Sequence, residues 1–397
     1  MGAAPLDGIR VLEAGGYVSG PYAGQMLADL GAEVVKIEPP PDGDPFRRFN
    51  RPETPVSPVF ANCNRGKRSI APDLKTEAGR SSLLDLVARS DVWLSNWRTG
   101  VAERLGLGDD VLVGANPRLI RVYVTGHGGS GPRAADPVFD TIVQATSGLT
   151  DALARTDRPV LLPGFPVDKV TAMMAGQSIL AALFARERTG RSERIDLSML
   201  ASAAYSDFVE LFANRTFVDH QPDAARNDQA TGLRALPGAD GWLVLAPVSG
   251  SAIRHTCEVA GHPEWAEELR HIRPQSGVAK ELFDRLEQVL PSRPVAHWIE
   301  QLAARDVPVA RCLTMDEHLS DDQVGHEQIY ELAEWPGYGR VRVPRYPAVF
   351  ASTGRLASVS PPPEFGGDDR LLEPVTGPGI AAPASPGTRP PPPGDPS

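Results

Sequence analysis

The chain has 397 residues, 41% hydrophobic and 23% charged, a globular composition that excludes a disordered or fibrous protein and is long enough for two cores. A formal net charge of −10, with no sustained Lys/Arg run, excludes a nucleic-acid surface, so a polyanionic ligand must be held by a few local cations. No stretch has the apolar length of a membrane span, and Cys63, Cys257 and Cys312 lack metal-ligand spacing and cannot all pair, so the expectation is a reduced, cytoplasmic protein.

In chain order, Ile9–Glu13 is a short apolar run that ends at Gly15 and Gly16, and Pro21–Leu30 has apolar residues at helical spacing stopped by Gly31. Glu33–Glu38 reads as a second strand, which completes a βαβ unit and implies a parallel sheet. The alternation continues with helix over Thr76–Ala88, strand over Val92–Asn96, a short helix over Gly100–Leu105 and strand over Leu119–Thr125. The fold class expected is therefore α/β, a doubly wound, Rossmann-like large domain. Pro39–Pro45 and Gly126–Pro132 are Pro/Gly-rich loops just after strand ends, where such sheets carry function.

The longest helix is expected from Asp168 to Arg188, closed by Thr189 and Gly190. The pattern changes near residue 215, where a polar stretch precedes a strand at Trp242–Ala246 and mostly helical sequence through Arg305. A large domain over residues 1–214, a smaller α+β domain over 215–325 and a Pro-rich mobile tail over 376–397 are expected.

The residue patterns remove several chemistries. Gly15-Gly-Tyr-Val-Ser-Gly20 lacks the glycine spacing of a dinucleotide site. The eight histidines never fall in a pair at helix-face spacing, so no metal is expected. No Gly-x-Ser-x-Gly elbow and no Gly-Lys-Ser/Thr loop occurs. Asp168 follows Gly164-Phe-Pro-Val167 and opens the long helix, where backbone N–H groups and the positive end of the dipole favour a carboxylate able to attack a carbonyl. Position alone favours an ordinary helix cap over a nucleophile.

Pro5-Leu-Asp-Gly-Ile-Arg-Val-Leu-Glu13, Gly20-Pro21 and Leu27-Ala-Asp-Leu-Gly-Ala-Glu-Val-Val-Lys-Ile-Glu38 resemble the opening of the class III CoA-transferases, a family that includes formyl-CoA and carnitine-CoA transferases and the α-methylacyl-CoA racemases. The resemblance runs on through Asn64-Arg-Gly-Lys-Arg-Ser-Ile70, Asp73-Leu-Lys75, Asp91-Val-Trp-Leu-Ser-Asn-Trp97, Arg104-Leu-Gly106 and Asn116-Pro-Arg-Leu-Ile120. It reaches about Met199 and continues more weakly at Asp240-Gly-Trp242 and Val307-Pro-Val309.

The resemblance implies that Asp168 is the nucleophile and that CoA, a substrate rather than a resident cofactor, is held at Tyr17, Val18, Pro72, Lys75, Asn96, Trp97, Arg98 and Arg104, with Phe139 among the lining residues. Lys75 and Arg104 suit CoA phosphates, although each also reads as an ordinary solvated cation. It further implies an interlocked homodimer whose large domain is completed by about residues 326–375 and, as partners, an acyl-CoA and a small carboxylic acid. Phe139 stands where the racemase branch needs a histidine base, and a phenylalanine cannot take a proton, which favours transfer. Pro39 stands where formyl-CoA transferase has an arginine, and that enzyme's glycine-rich active-site loop has no counterpart, so its substrate does not carry over. A racemase-like enzyme and a non-catalytic CoA-binding homologue are the alternatives. Oxyanion donors are expected from the Gly126–Gly129 loop or the start of the long helix.

Overall fold

Apolar runs buried on both faces are what the central strands of a parallel sheet require, and β1 (Arg10–Ala14) is one, with Val11, Leu12 and Ala14 at zero exposure. The structure is a computed structural model that describes residues 3–50, 53–154, 158–209, 211, 215–219, 234–272, 275–356 and 359–373. After β1 come α1 (Ser19–Asp29), β2 (Glu33–Ile37), α2 (Pro58–Asn64), β3 (Arg68–Ile70), α3 (Glu77–Val87) and β4 (Val92–Ser95). Then follow α4 (Val101–Arg104), α5 (Asp109–Ala115), β5 (Ile120–Thr125), α6 (Asp140–Thr146), α7 (Leu149–Ala152), α8 (Pro166–Thr189), β6 (Arg194–Ser198) and α9 (Met199–Asp207). The strands predicted in this half all form, with ends shifted by about a residue, whereas α1 begins two residues before Pro21 because a proline in a first turn gives up no helical hydrogen bond.

The six strands pair in parallel in the order β3-β2-β1-β4-β5-β6. Successive residues point to opposite faces. Val11, Val34 and Val122 therefore pack under α1 and α8, while Leu12, Val35 and Trp93 pack under α3 and α5. The order reverses between β1 and β4, so the loops after these two strands face each other across the crevice where such sheets bind ligands. Ala172, Ala175 and Gly176 on the buried side of α8 let it lie closely against α1, and Gly190, at φ 70°, ends it.

A second core gathers around the antiparallel sheet β7 (Leu236–Gly238), β8 (Gly241–Leu245) and β9 (Val309–Arg311). Its helices are α10 (Gly250–Val259), α11 (Trp265–Leu269), α12 (Gln275–Val289) and α13 (Val295–Ala303). The chain then returns to the first sheet through α14 (Met315–Leu319), α15 (Asp322–His326) and the hairpin β10 (Tyr330–Trp335) and β11 (Gly339–Pro344). Trp335 and Val343 pack on Phe46 and Phe60, and the Asp368 and Asp369 carboxylates accept the Ser69 and Ala71 N–H groups at 3.2 and 2.7 Å. The Pro-rich tail predicted over 376–397 lies outside the described residues, among which no helix is long and apolar enough to cross a membrane.

Candidate active site at the β1/β4 crevice

The glycines after β1 answer to the side chain of Asn96, just past β4. A Cβ at Gly15 would stand 1.8 Å from Asn96 Oδ1, and one at Gly20 would stand 3.1 Å from its Cγ. Asn96 Oδ1 accepts the Gly16 N–H at 3.0 Å, and Nδ2 donates to the Gly16 carbonyl at 2.8 Å and to Ser19 Oγ at 3.2 Å. The glycine pair thus admits a side-chain brace between two loops. The Asn96 amide, predicted as a CoA contact, is spent within the protein. Tyr17, next in the loop, adopts φ 63°, a conformation that non-glycine residues hold only when surroundings impose it. Asp44 Oδ1 accepts its N–H at 3.3 Å.

Fully buried charges lie beneath this loop. Lys36 Nζ meets Glu13 Oε1 and Asp44 Oδ2, each at 3.0 Å, and donates to the Gly15 carbonyl at 2.9 Å. Lys67 Nζ meets Glu13 Oε2 at 2.6 Å and also donates to the Pro21 carbonyl and Asn64 Oδ1. Burial alone would raise the Glu13 carboxyl, but Lys67 and Lys36 outweigh it and hold the group below its ordinary value. Burial would depress Lys36, and Glu13, Asp44 and Glu38 reverse that and raise it.

Asp168 is the third residue of α8, and Phe165 is its N-cap. It is 9% exposed, and its N–H donates to Asp140 Oδ2 at 2.9 Å. The other Asp140 oxygen accepts Gln144 Nε2 at 2.6 Å, which holds this second buried carboxylate in place. Burial first, then the charge of Asp140, pushes the Asp168 carboxyl up to about 7, against the opposing pull of the Ser19 hydroxyl and backbone N–H. Here the sequence expectation is corrected: a helix start favours the ionised form by only about 0.3–1 kcal/mol, less than burial and a neighbouring carboxylate can exert.

A cleft of ≈ 600 Å³ brings together Tyr17, Asn96, Trp97, Arg98, Arg104, Phe139 and Asp168 of the predicted set. Arg98 and Arg104 are exposed and have no carboxylate partner among the described residues, and Trp97 is braced edge-on by Trp93 with ring centroids 5.9 Å apart. Three predicted residues are not in the cleft. Val18 is 4% exposed and packs with Phe46 and Phe60, while Pro72 and Lys75 stand on the loop between β3 and α3. Gly126 of the predicted oxyanion loop lines the cleft together with Ser19 and Asp168. His127 contacts Thr146 Oγ1 through Nε2 at 3.2 Å and does not line the cleft.

Sequence reasoning missed Ser19, Asp44 and Asp140. Ser19 stood directly before Gly-Pro and Asp140 opened a short helix, each a capping signal with nothing to connect it to Asp168. It also missed a cluster of rings, of which Tyr17 and Phe139 line the cleft with Asp168. Tyr17 lies 5.3 Å from Phe139 and 5.7 Å from Phe46, and Phe46 lies 5.9 Å from Phe165, between ring centroids.

A doubly wound sheet with a buried aspartate and two exposed arginines at its switch point is the architecture of an enzyme acting on a large anionic substrate. The chain belongs to CoA-transferase family III, which it matches over residues 6–369. It is 33% identical over 383 residues to the probable fatty acyl-CoA transferase Rv3272 of Mycobacterium tuberculosis, covering 92% of this chain and 96% of that protein. It is 33% identical over 318 residues to the acetyl-CoA:oxalate CoA-transferase of Acetobacter aceti, covering 79% and 82% of the two chains. A crystal structure of Rv3272 superposes with a TM-score of 0.79 at 32% identity, covering 93% of this chain and 99% of that one. A CAIB/BAIF family protein from Brucella suis gives the same TM-score at 27% identity, covering 94% and 99%. The protein is thus a class III CoA-transferase, which moves CoA between acyl-CoA and carboxylates.

Proposed function

We propose that CoA passes through Asp168, from the thioester of an apolar acyl-CoA to an apolar monocarboxylic acid. The supporting observation is the buried Asp168 carboxylate in a cleft where Phe139 stands in place of a proton-accepting side chain. Asp168 attacks the donor thioester to give an aspartyl anhydride and CoA thiolate. The thiolate converts the anhydride to an aspartyl-CoA thioester and frees the donor acid, and the acceptor carboxylate takes up CoA by the reverse steps. Each step keeps an activated acyl bond, so exchange between acids is nearly thermoneutral while water is kept out.

The acid is assigned from the rings. Tyr17 and Phe139 line the cleft together with Asp168, their ring centroids 5.3 Å apart, and offer apolar surface, whereas a second substrate carboxylate calls for a cation. The arginines of the cleft, Arg98 and Arg104, belong to the segment after β4, beside Trp97, where they suit CoA phosphates. Arg104→Ala is expected to raise KM for acyl-CoA about tenfold with kcat nearly unchanged, the mark of lost uniform binding in steady-state kinetics.

The deciding experiment incubates the purified protein with acyl-CoA donors and free acids and follows new thioesters by mass spectrometry. Medium-chain or aryl acids are expected to exceed oxalate and succinate at least tenfold in kcat/KM. Exchange with no pair overturns transfer, and a preference for dicarboxylates overturns the apolar assignment.

The reading includes the division into residues 1–214 with about 326–375 and 215–325, and an interlocked homodimer. Met173 and Phe184 of α8 are 50% and 64% exposed, apolar surface that a second copy would cover. Light scattering at the mass of a single chain would overturn the dimer.

A further inference from the structure

We infer that Asp140 is a positioning residue of the transfer reaction: held as a carboxylate by Gln144, it anchors the start of α8 through the Asp168 N–H and places a like charge beside the nucleophile, favouring the form of Asp168 that carries CoA. This deepens the proposed transfer and rests on it. Formation of the aspartyl-CoA thioester removes a charge from the site. An Asp168 oxygen bonds to the donor carbonyl carbon as the donor carbon–sulfur bond breaks, and CoA thiolate then bonds to Asp168 Cγ as the Cγ–O bond breaks. That oxygen departs within the donor acid, a carboxylate, so the negative charge leaves the protein with it. A fixed negative charge near Asp168 therefore shifts the balance from the free carboxylate toward the CoA-bearing form.

The hydrogen bonds identify which of the two buried carboxyls is fixed. Gln144, at zero exposure, is oriented by the backbone of Leu162, whose N–H donates to Oε1 at 2.9 Å and whose carbonyl accepts Nε2 at 3.2 Å. Gln144 Nε2 also donates to Asp140 Oδ1, at 2.6 Å, while Asp140 Oδ2 accepts the Asp168 N–H at 2.9 Å. Both Asp140 oxygens thus face donors that cannot accept a proton in return, and two such bonds favour the carboxylate. Asp140 opens α6 and is 2% exposed, so solvent screens its charge little. Three covalent bonds separate the Asp168 N from Cγ, so Asp140 Oδ2, at 2.9 Å from that N, lies within about 7 Å of the reacting carbon. Two buried carboxylates this close disfavour each other's charge. Asp168 is the one that yields, its carboxyl raised to about 7 by burial first and Asp140 second. The same contacts supply the anchor. Gln144 ties the segment leading into α8 to α6, and Phe139, the N-cap of α6, lines the cleft with Asp168.

The other charged groups near the nucleophile are Lys169 beside it on α8 and, around the cleft, Asp44, Asp136, Arg98 and Arg104. Charges on the remaining elements packed against α8 are engaged elsewhere. Asp29 at the far end of α1 meets Arg65, and Arg121, Tyr123 and Arg194 of β5 and β6 meet Asp109. Asp207 ends α9 away from Met199, which lines the cleft.

The test uses the full chain with octanoyl-CoA, acetyl-CoA or succinyl-CoA, each at a fixed ratio to its free acid, and reads the aspartyl-CoA adduct by intact mass after an acid quench. Protonation and acylation of Asp168 remove the same charge, so neutralising Asp140 must weaken both by one factor. Asp140→Asn is expected to lower the ratio of adduct to free protein at pH 9 at least about tenfold. It should also move the acid limb of kcat/KM to lower pH by the logarithm of that factor, about one unit or more. Asp140→Glu disturbs the hydrogen bonds and keeps the charge, so it should lose rate while retaining the wild-type limb and adduct ratio. In the asparagine variant, a limb or an adduct ratio that stays at the wild-type value overturns the role of Asp140. A glutamate variant in which either one shifts overturns it as well, and this second arm decides the matter if the asparagine variant does not fold. Wild-type protein that forms no adduct on Asp168 with any of the three donors overturns transfer through Asp168 instead.

Discussion

Asp168→Asn is expected to abolish CoA exchange, by at least about 10⁴-fold as for loss of other covalent nucleophiles, and to raise the melting temperature above pH 7. The two effects have one cause. An asparagine side chain cannot form the anhydride, and it also cannot carry the buried charge that the fold disfavours. The Asp168 carboxyl ordinarily titrates at 3.8 and is pushed up to about 7 in the folded chain, by burial first and Asp140 second. A carboxyl with a raised folded-state pKa stabilises the fold in its neutral form. That contribution is complete below pH 4 and is lost as pH rises through about 7. Above that pH the wild-type fold bears the full cost of ionisation, up to about 4 kcal/mol at 1.36 kcal/mol per pKa unit, and the amide bears none. Thermal unfolding of both proteins between pH 4 and 9 should show curves that meet at the acid end and separate toward the alkaline end. In wild-type protein the same titration should set an acid limb in kcat/KM with a midpoint at about 7, since the ionised form attacks. Equal stabilities at pH 8 would show that Asp168 is not strained by its site.

Such a site is only partly written in the local sequence. The parallel sheet was legible because strands buried on both faces leave unbroken apolar runs such as Val11-Leu12 and Val34-Val35 between helices of 3.6-residue period. The three-residue β3 and the short α2, α5 and α6 are too brief to show a period, and the sequence reading passed over them. Asp168 was visible through its likeness to a family and invisible through local physics, which favoured a solvated, ionised helix start. What changes its chemistry is convergence: the starts of α1, α6 and α8 meet there, although Ser19, Asp140 and Asp168 share no spacing that a sequence can display. The same holds for Asn96 and Gly15, whose contact spans two strands that are neighbours only because the sheet order reverses between them. Arg98 and Arg104 were readable as cations, but that they stand apart from every carboxylate among the described residues is a property of the fold.

Glu13→Gln is expected to be the most damaging substitution away from the reacting groups. Glu13 lies on β1 at zero exposure, with Lys36 on one oxygen and Lys67 on the other. With Asp44 on Lys36, two carboxylates balance two ammonium groups in a space that water does not reach. The glutamine keeps the shape and removes one negative charge from beside Lys67, which burial already pushes down to about 8, so a buried lysine must either stay charged without a partner or give up its proton, a change that costs about 3–5 kcal/mol in comparable pairs. The isosteric swap creates no cavity, so a loss of that size in denaturant unfolding would be electrostatic. Part of it should appear as catalysis, because Lys36 also holds the Gly15 carbonyl, and Asp44 holds the N–H of Tyr17 in its left-handed conformation. Loosening Lys36 frees the loop that carries Tyr17, which lines the cleft, so kcat should fall along with stability. A variant that lost stability but exchanged CoA at the wild-type rate would show that the charges support the sheet alone, and that the β1 loop keeps its shape through Asn96.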